Sequence, residues 1–327
     1  MSRFRYCAAL LTALMPVVAT ADPLVADGEI VLEGVRGRID HLAIDLRRRR
    51  LLVAELGNDT VDIVDVATRR RDARITGLAE PQGVGVAARA HRYVIANAGD
   101  GTVRFYRADN LQPASSVSLG SDADNVRVDP RSGSALVGYG SGGIAIIDPA
   151  TGATTGTVEL PAHPEGFQLD HTGARIYANL PDAHRIAVID RAAGRVVATW
   201  NTPGLSGNFP IAIDDAGSRL AVVFRDPPTL VAYNASNGEV QSRISTCGDA
   251  DDVFFDARRA RIYVSCGSGA IDVFDAGSPE IKHLDRITTA SGARTSLFVP
   301  ELDRLFVAAR AGVFGGDASI RIFRPAP

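Results

Sequence analysis

Residues 247–256 read CGDADDVFFD, with four aspartates in ten positions running straight into an apolar stretch. A calcium loop of the EF-hand kind needs oxygen ligands at alternate positions and a glycine at the sixth. Counted from Asp249, the fifth and sixth positions are Val253 and Phe254, so that reading fails. Upstream, residues 122–129 read DADNVRVD, nearly the octapeptide DADDVFFD of residues 249–256. A motif that recurs at long range is tested as a repeat before it is read as chemistry.

Aligned on the last residue of each such run, the chain divides into seven units. RIDHLAID ends at Asp45, PQGVGVA at Ala87, DADNVRVD at Asp129, PEGFQLD at Asp170, NFPIAID at Asp214, DADDVFFD at Asp256 and RTSLFV at Val299. The spacings between these anchors are 42, 42, 41, 44, 42 and 43 residues, too even for coincidence. Arginine stands five residues past the anchor in six units, at Arg50, Arg92, Arg175, Arg219, Arg261 and Arg304. A second β-rich run follows, such as LLVAEL at 51–56, then a turn, then a third, such as VDIVDV at 61–66. Six units add a fourth, more polar run, such as RVVATW at 195–200. These are short β-branched and aromatic runs separated by turn residues, and none keeps a helical period.

Four strands in about 42 residues, seven times over, describe an all-β chain folded as a single seven-bladed β-propeller. The seventh unit stops after its third strand, IRIFRP at 320–325. The stretch EIVLEG at 29–34 precedes the first unit and is expected to supply the missing outermost strand, closing the ring and covering its open edge. The propeller is expected to span residues 22–327 as a monomer.

The first 23 residues read MSRFRYCAALLTALMPVVATADP. Arg3 and Arg5, an apolar stretch and the small residues Ala19-Thr20-Ala21 are the marks of a signal peptide, residues 1–21, cut after Ala21. No segment offers the ~20 apolar residues of a transmembrane helix, so a periplasmic or secreted location is expected. Cleavage would leave two cysteines, Cys247 and Cys266, and an even pair in an exported protein favours a disulfide. The net charge of −3 argues against a basic nucleic-acid binder.

Units such as DARRARIYVSCGSGAIDVFD (256–275) and DHTGARIYANLPDAHRIAVID (170–190) resemble the YVTN-type repeats of secreted bacterial β-propellers, the YncE-like proteins. The resemblance runs through the whole chain after the leader. It implies the propeller fold and export, and it implies little about function. A WD signature is absent, and Trp200, the single tryptophan, leaves no repeated tryptophan docking motif.

In such a fold the innermost strand of each blade lines the central channel. Residues one and three before the anchor are almost all apolar, which assigns them to packing between blades. The other parity then faces the channel. It brings His41, Asn125 and Asp252 to the channel wall, and Asp40, Gln82, Asp124, Glu165, Asp251 and Arg294 to its mouth, with Asn208 one and His163 two positions further out. Convergent polar groups in a concavity are a candidate binding site. The ring reads as acidic, with Arg294, Arg127 and a protonated His41 as its positive members. Asp45, Asp170, Asp214 and Asp256, followed by the repeat arginines, read as turn caps and structural ion pairs. The runs RRRR (47–50) and RRR (69–71) fall on the opposite face.

The function these residues support first is binding of a small molecule, a cation or a protein partner at the mouth, with no chemistry of its own. One alternative is a metal-assisted hydrolase or lactonase. Propellers of the gluconolactonase type hold a divalent metal with Glu, Asn and Asp, and Glu165, Asn208, Asn125 and Asp252 are donors of that kind for calcium or magnesium. No motif calls for any other cofactor. The remaining alternative, a nucleic-acid or polyanion surface on the arginine face, is disfavoured.

Overall fold

Each anchor aspartate stands at the end of an inner strand or one residue past it and caps the turn that follows, as short acceptor side chains do. Asp45 Oδ1 accepts from the Arg48 amide at 3.0 Å, Asp129 Oδ1 from the Arg131 amide at 2.9 Å and Asp214 Oδ1 from the Ser218 amide at 2.7 Å. The chain then returns antiparallel, so that Asp45 lies opposite Arg50 and Asp256 opposite Arg261. The computed structural model describes residues 22–327 except 141, 215, 313 and 314, and in it this pattern builds seven four-stranded sheets. Blade 1 comprises Leu42–Asp45, Arg50–Glu55, Thr60–Asp65 and Arg70–Ile75, ordered from the channel outwards. Blades 2 to 6 repeat the order. Their outermost strands, such as Val240–Ser245, alternate exposed and half-buried residues.

The expected ion pairs form only in part. Arg219 Nε lies 3.4 Å from Asp214 Oδ2, but Asp45 and Asp256 pair with Arg48 and Arg259 in their own turns, at 3.1 and 3.0 Å. Asp170 accepts instead from Thr172 Oγ1 at 2.9 Å. Three of the six repeat arginines reach across to the next blade: Arg50 Nη1 donates to Ala108 O at 3.1 Å, Arg219 Nη2 to Ala276 O at 2.7 Å and Arg261 Nη1 to Ala326 O at 2.7 Å. These three staple neighbouring blades.

Between blades lie apolar clusters, for example Leu52, Ile63, Val84, Tyr93 and Ile95 between blades 1 and 2. The residues three before the anchor, Leu42, Val84, Val126, Phe167, Ile211 and Val253, are buried as their parity requires. Near the mouth the inner strands crowd together. A Cβ on Gly83 would lie 1.8 Å from Asp124 O, and one on Gly166 would lie 2.4 Å from Phe209 O, so only glycine fits at these two positions.

The ring closes as expected, with a longer strand. Leu24–Leu32 pairs antiparallel with Ala318–Pro325, and Glu29 to Leu32 face Arg321 to Ala318. The strand starts five residues before the expected EIVLEG and ends at Leu32, and Gly28 (φ +94°) interrupts it. A register shift between Ala26 and Glu29 absorbs that break, and pairing resumes down to Leu24. Cys247 and Cys266 form the disulfide, with a Cα separation of 5.8 Å. A second register shift, between Ala250 and Asp252, sets Cys266 opposite Ala250 and within reach of Cys247. Residues 1–21, the expected leader, lie outside the described residues. Among those described, no helix is long and apolar enough to cross a membrane.

Candidate functional site

Four inner strands carry a register shift at the mouth end: between Pro81 and Val84, Ala123 and Val126, Asn208 and Ile211, and Ala250 and Asp252. Such bulges re-aim side chains, and they decide which of the ten expected residues meet. His41, Asn125, Glu165, Asp251 and Asp252 share one small cavity of about 40 Å³ on the channel axis, with Arg127, Gln168 and Phe254 beneath them. A second chamber of about 350 Å³ continues below, shares His41, Arg127, Gln168, Asp252 and Phe254, and is otherwise walled by apolar residues such as Val86, Val128 and Leu297. Asp40 and Asp124 are buried behind this ring, and Gln82 contributes its backbone carbonyl, which accepts from the His41 amide at 3.3 Å.

Asn208 stands elsewhere, and Arg294 keeps to the rim. Asn208 is fully buried and donates through Nδ2 to Arg185 O at 3.0 Å, inside the blade wall. The bulge that follows it turns its side chain away from the axis. Arg294 lies at the rim, with Nη1 3.0 Å from Asp249 Oδ1 and Nε 3.0 Å from Asp251 Oδ2.

Sequence reasoning also missed positive partners. Arg38 Nη2 lies 2.7 Å from Asp40 Oδ2. Arg225 bonds Asp251, donates to Ala250 O at 2.9 Å and stacks its guanidinium 3.7 Å above the Phe209 ring. It sits at the end of Arg219–Asp226, a second strand two residues longer than that of blade 1, and this extra length was its only signal in the sequence. His163, which the count did place at the outer end of the mouth, accompanies Asp124, with Nε2 3.9 Å from Asp124 Oδ2. The mouth is therefore an interleaved ring of acids and bases, and it is less acidic than the sequence suggested.

Burial and crowding shift several of these groups. Burial pushes the Asp40 carboxyl up to about 6 against the pull of His41 and Arg38. It pushes Asp252 up to about 7, and it pushes Glu165 up to about 7 with Asp124 adding to the effect. Burial works against protonated His163, yet Asp122 and Asp124 outweigh it and lift the ring to about 9. His41 is raised in the same way, because Asp40, Asp252 and Asp124 together exceed its desolvation.

The hydrogen bonds in this ring conflict. Asn125 Nδ2 donates to Glu165 O at 2.9 Å and faces His41 Nε2 at 3.1 Å, which requires a lone pair on that nitrogen. The surrounding acids favour a proton there. Two buried acceptors beside this contact, Asp124 Oδ1 and Asn125 Oδ1, have no hydrogen-bond partner. Buried polar atoms are almost always paired, so each orphan calls for a missing donor.

The donor set expected for a divalent cation does not assemble. Asn208 faces the wall, and Asn125 turns its amide nitrogen, not its oxygen, toward the Glu165 backbone. Among the described residues, no group of three or more His, Cys, Asp or Glu side chains is placed to hold a metal ion. On the opposite face the arginine runs are largely paired: Arg48 with Asp45 and Asp109, Arg50 with Asp72, Arg69 with Asp27 and Arg71 with Asp62.

No protein-family model and no curated protein matches the chain. Among solved structures it is similar to a chain of Kuenenia stuttgartiensis hydrazine synthase, with a TM-score of 0.77 and 15% identity over 94% of this chain and 99% of that one. It is also similar to a chain in the crystal structure of a mitotic checkpoint complex, with a TM-score of 0.79 and 12% identity over 100% of this chain and 99% of that one. At these identities the likeness shows the propeller fold alone. One scaffold in two such different assemblies says nothing of what this one binds.

Proposed function

We propose that this chain is an exported binding propeller whose channel mouth takes a small polar molecule that donates hydrogen bonds, with no chemistry of its own. One observation carries the reading: Asn125 Oδ1, in a cavity wall shared with Glu165 and Asp252, and Asp124 Oδ1 just behind it are buried and unpartnered. A ligand hydroxyl or ammonium would supply the missing donor and ease the crowding of carboxyl groups. The 40 Å³ cavity admits only such a head group, and the 350 Å³ chamber below has room for the body of the molecule. The disulfide is compatible with an oxidising compartment, which supports export.

Thermal unfolding with ethanolamine, glycerol, calcium or magnesium tests the reading, since a ligand that binds only the folded chain raises its melting temperature. Ethanolamine is expected to stabilise, and more so above pH 7, where Glu165 and Asp252 lose their protons. Asp252→Asn combined with Glu165→Gln should remove the effect. If no probe shifts the parent chain, or if the double variant responds equally, the mouth is not a binding site. A rise with calcium or magnesium alone would favour the metal-assisted hydrolase instead.

A further inference from the structure

On the face opposite the mouth, the junction of blades 7 and 1 is built differently from four of the others. At four junctions a side chain bonds the carbonyl that follows the third strand of the next blade. These bonds are Arg50 Nη1 to Ala108 O (3.1 Å), Tyr177 Oη to Ala235 O (2.8 Å), Arg219 Nη2 to Ala276 O (2.7 Å) and Arg261 Nη1 to Ala326 O (2.7 Å). Val66 holds that place in blade 1. The repeat arginine of blade 7, Arg304, turns aside to the closing strand, where its Nε lies 2.8 Å from Asp27 Oδ2. Arg69 reaches the same carboxylate oxygen at 3.2 Å.

With its staple diverted, the junction stays open as a slot of about 280 Å³ walled by Ile44, Val66, Phe306 and Ile322. Leu46 stands at its lip, 39% exposed. Three guanidinium groups, those of Arg49, Arg69 and Arg304, border the slot against the single carboxylate of Asp27. An apolar wall under a rim with excess positive charge complements a molecule with an apolar body and one negative group.

We propose that this slot binds a small anionic amphiphile, an alkyl or aryl carboxylate. Its chain would lie against Phe306 and Ile322, and its head would be held by Arg49 and Arg69. Guanidinium is suited to this, because its planar fork of donors matches the two oxygens of a carboxylate. The slot is formed by blades 7 and 1 on the far face, so it does not depend on the reading of the mouth.

Calorimetric titration of the purified chain with decanoate, below its micellar range, tests the proposal, with decanol and decylammonium as matched probes. Decanoate is expected to bind at one site, decanol about tenfold or more weaker, and decylammonium not measurably, since one good charge-assisted contact is equivalent to about a decade of affinity. Arg49→Gln should weaken decanoate about tenfold. Ala67 lies in an exposed turn at the edge of the slot, and Ala67→Trp should fill the slot and abolish binding with the melting temperature unchanged. Asp252→Asn with Glu165→Gln should leave decanoate binding as it was. Absence of binding, equal affinity for decanol, or undiminished binding by Ala67→Trp overturns the proposal. Uptake at many equivalent sites would mark surface adsorption and overturns it too.

Discussion

Blades 1 and 6 contain the same device with opposite consequences. In each, an aspartate two residues into the third strand is wholly buried and gripped by an arginine from the fourth. Arg74 holds Asp62 through Nε to Oδ1 at 2.6 Å and Nη2 to Oδ2 at 2.8 Å, and Arg286 holds Asp272 through the same atoms at the same two distances. What surrounds the fork differs. In blade 6, Asp272 also accepts from Thr246 Oγ1 at 3.0 Å and lies 3.3 Å from His283 Nε2. Burial would raise its carboxyl, but Arg286 and His283 outweigh this and hold it below the ordinary range. In blade 1, Arg71 adds a contact to Asp62 at 3.2 Å, but the last residue of the second strand is Glu55, itself fully buried. Blade 6 has Cys266 at that position, locked in the disulfide. One repeat unit therefore hosts a fully compensated buried charge or an acid with too few partners, and a single neighbouring position decides which.

The largest effect should come from breaking the fork where it stands alone. Arg286→Met leaves Asp272 buried with only His283 and Thr246, and removing one partner of a buried pair costs about 3–5 kcal/mol. Because the Arg286 side chain is 53% exposed, the lower end of that range is expected. Arg74→Met should cost less, about 1–2 kcal/mol, because Arg71 still reaches Asp62. Urea unfolding of the two variants checks the order, and equal losses would mean that Arg71 does not share the charge. Next comes the disulfide of blade 6. Replacing Cys247 and Cys266 with alanine opens a loop of 19 residues, a loss of about 3 kcal/mol in the chain-entropy picture. Reduction of the parent chain should lower its unfolding midpoint to the same degree. If neither treatment moves the midpoint, the top of blade 6 is held by Asp272 and not by the sulfur bridge.

The fold was legible because most units repeat the same demands: an apolar pair for the blade wall, an aspartate to cap the turn, and an arginine at a fixed distance. Even the closing strand was foreseen from EIVLEG, although Gly28 hid its first half. The buried forks were not legible. Asp62 and Arg74 are separated by a turn and half a strand, and nothing in VDIVDV or RRDARI says that both side chains point to the same side. The site was legible only as a ring. Counting back from Asp214 kept a strict alternation, and one extra residue between Asn208 and Ile211 sent Asn208 into the wall. The repeat arginines were expected to pair with their own aspartates. Arg50 and Arg261 instead reach the neighbouring blade, which no count within one unit can reveal.

The finest test of the comparison is the acid that blade 6 lacks. Glu55 is pushed up to about 8, first by burial and then by Asp62 beside it, while Thr60 and Arg74 only partly oppose the shift. One of its oxygens, Oε1, is buried without a partner. The sign follows from proton binding. Between the ordinary carboxyl value of 4.5 and about 8, the folded chain holds a proton on Glu55 that the unfolded chain has released. Folding is therefore favoured at the acid end of this window, and that contribution is lost as pH rises through it. Glu55→Gln keeps the shape and removes the titration. Measured by urea unfolding, the variant should match its parent to within about 0.5 kcal/mol at pH 5 and exceed it by about 1–2 kcal/mol at pH 8.5. Replacing Cys247 and Cys266 together should show no such pH dependence, because that leaves neither an acid nor a free thiol there. If Glu55→Gln is instead less stable than the parent at pH 8.5, Glu55 is a satisfied anion held by Arg74, and blades 1 and 6 are alike after all.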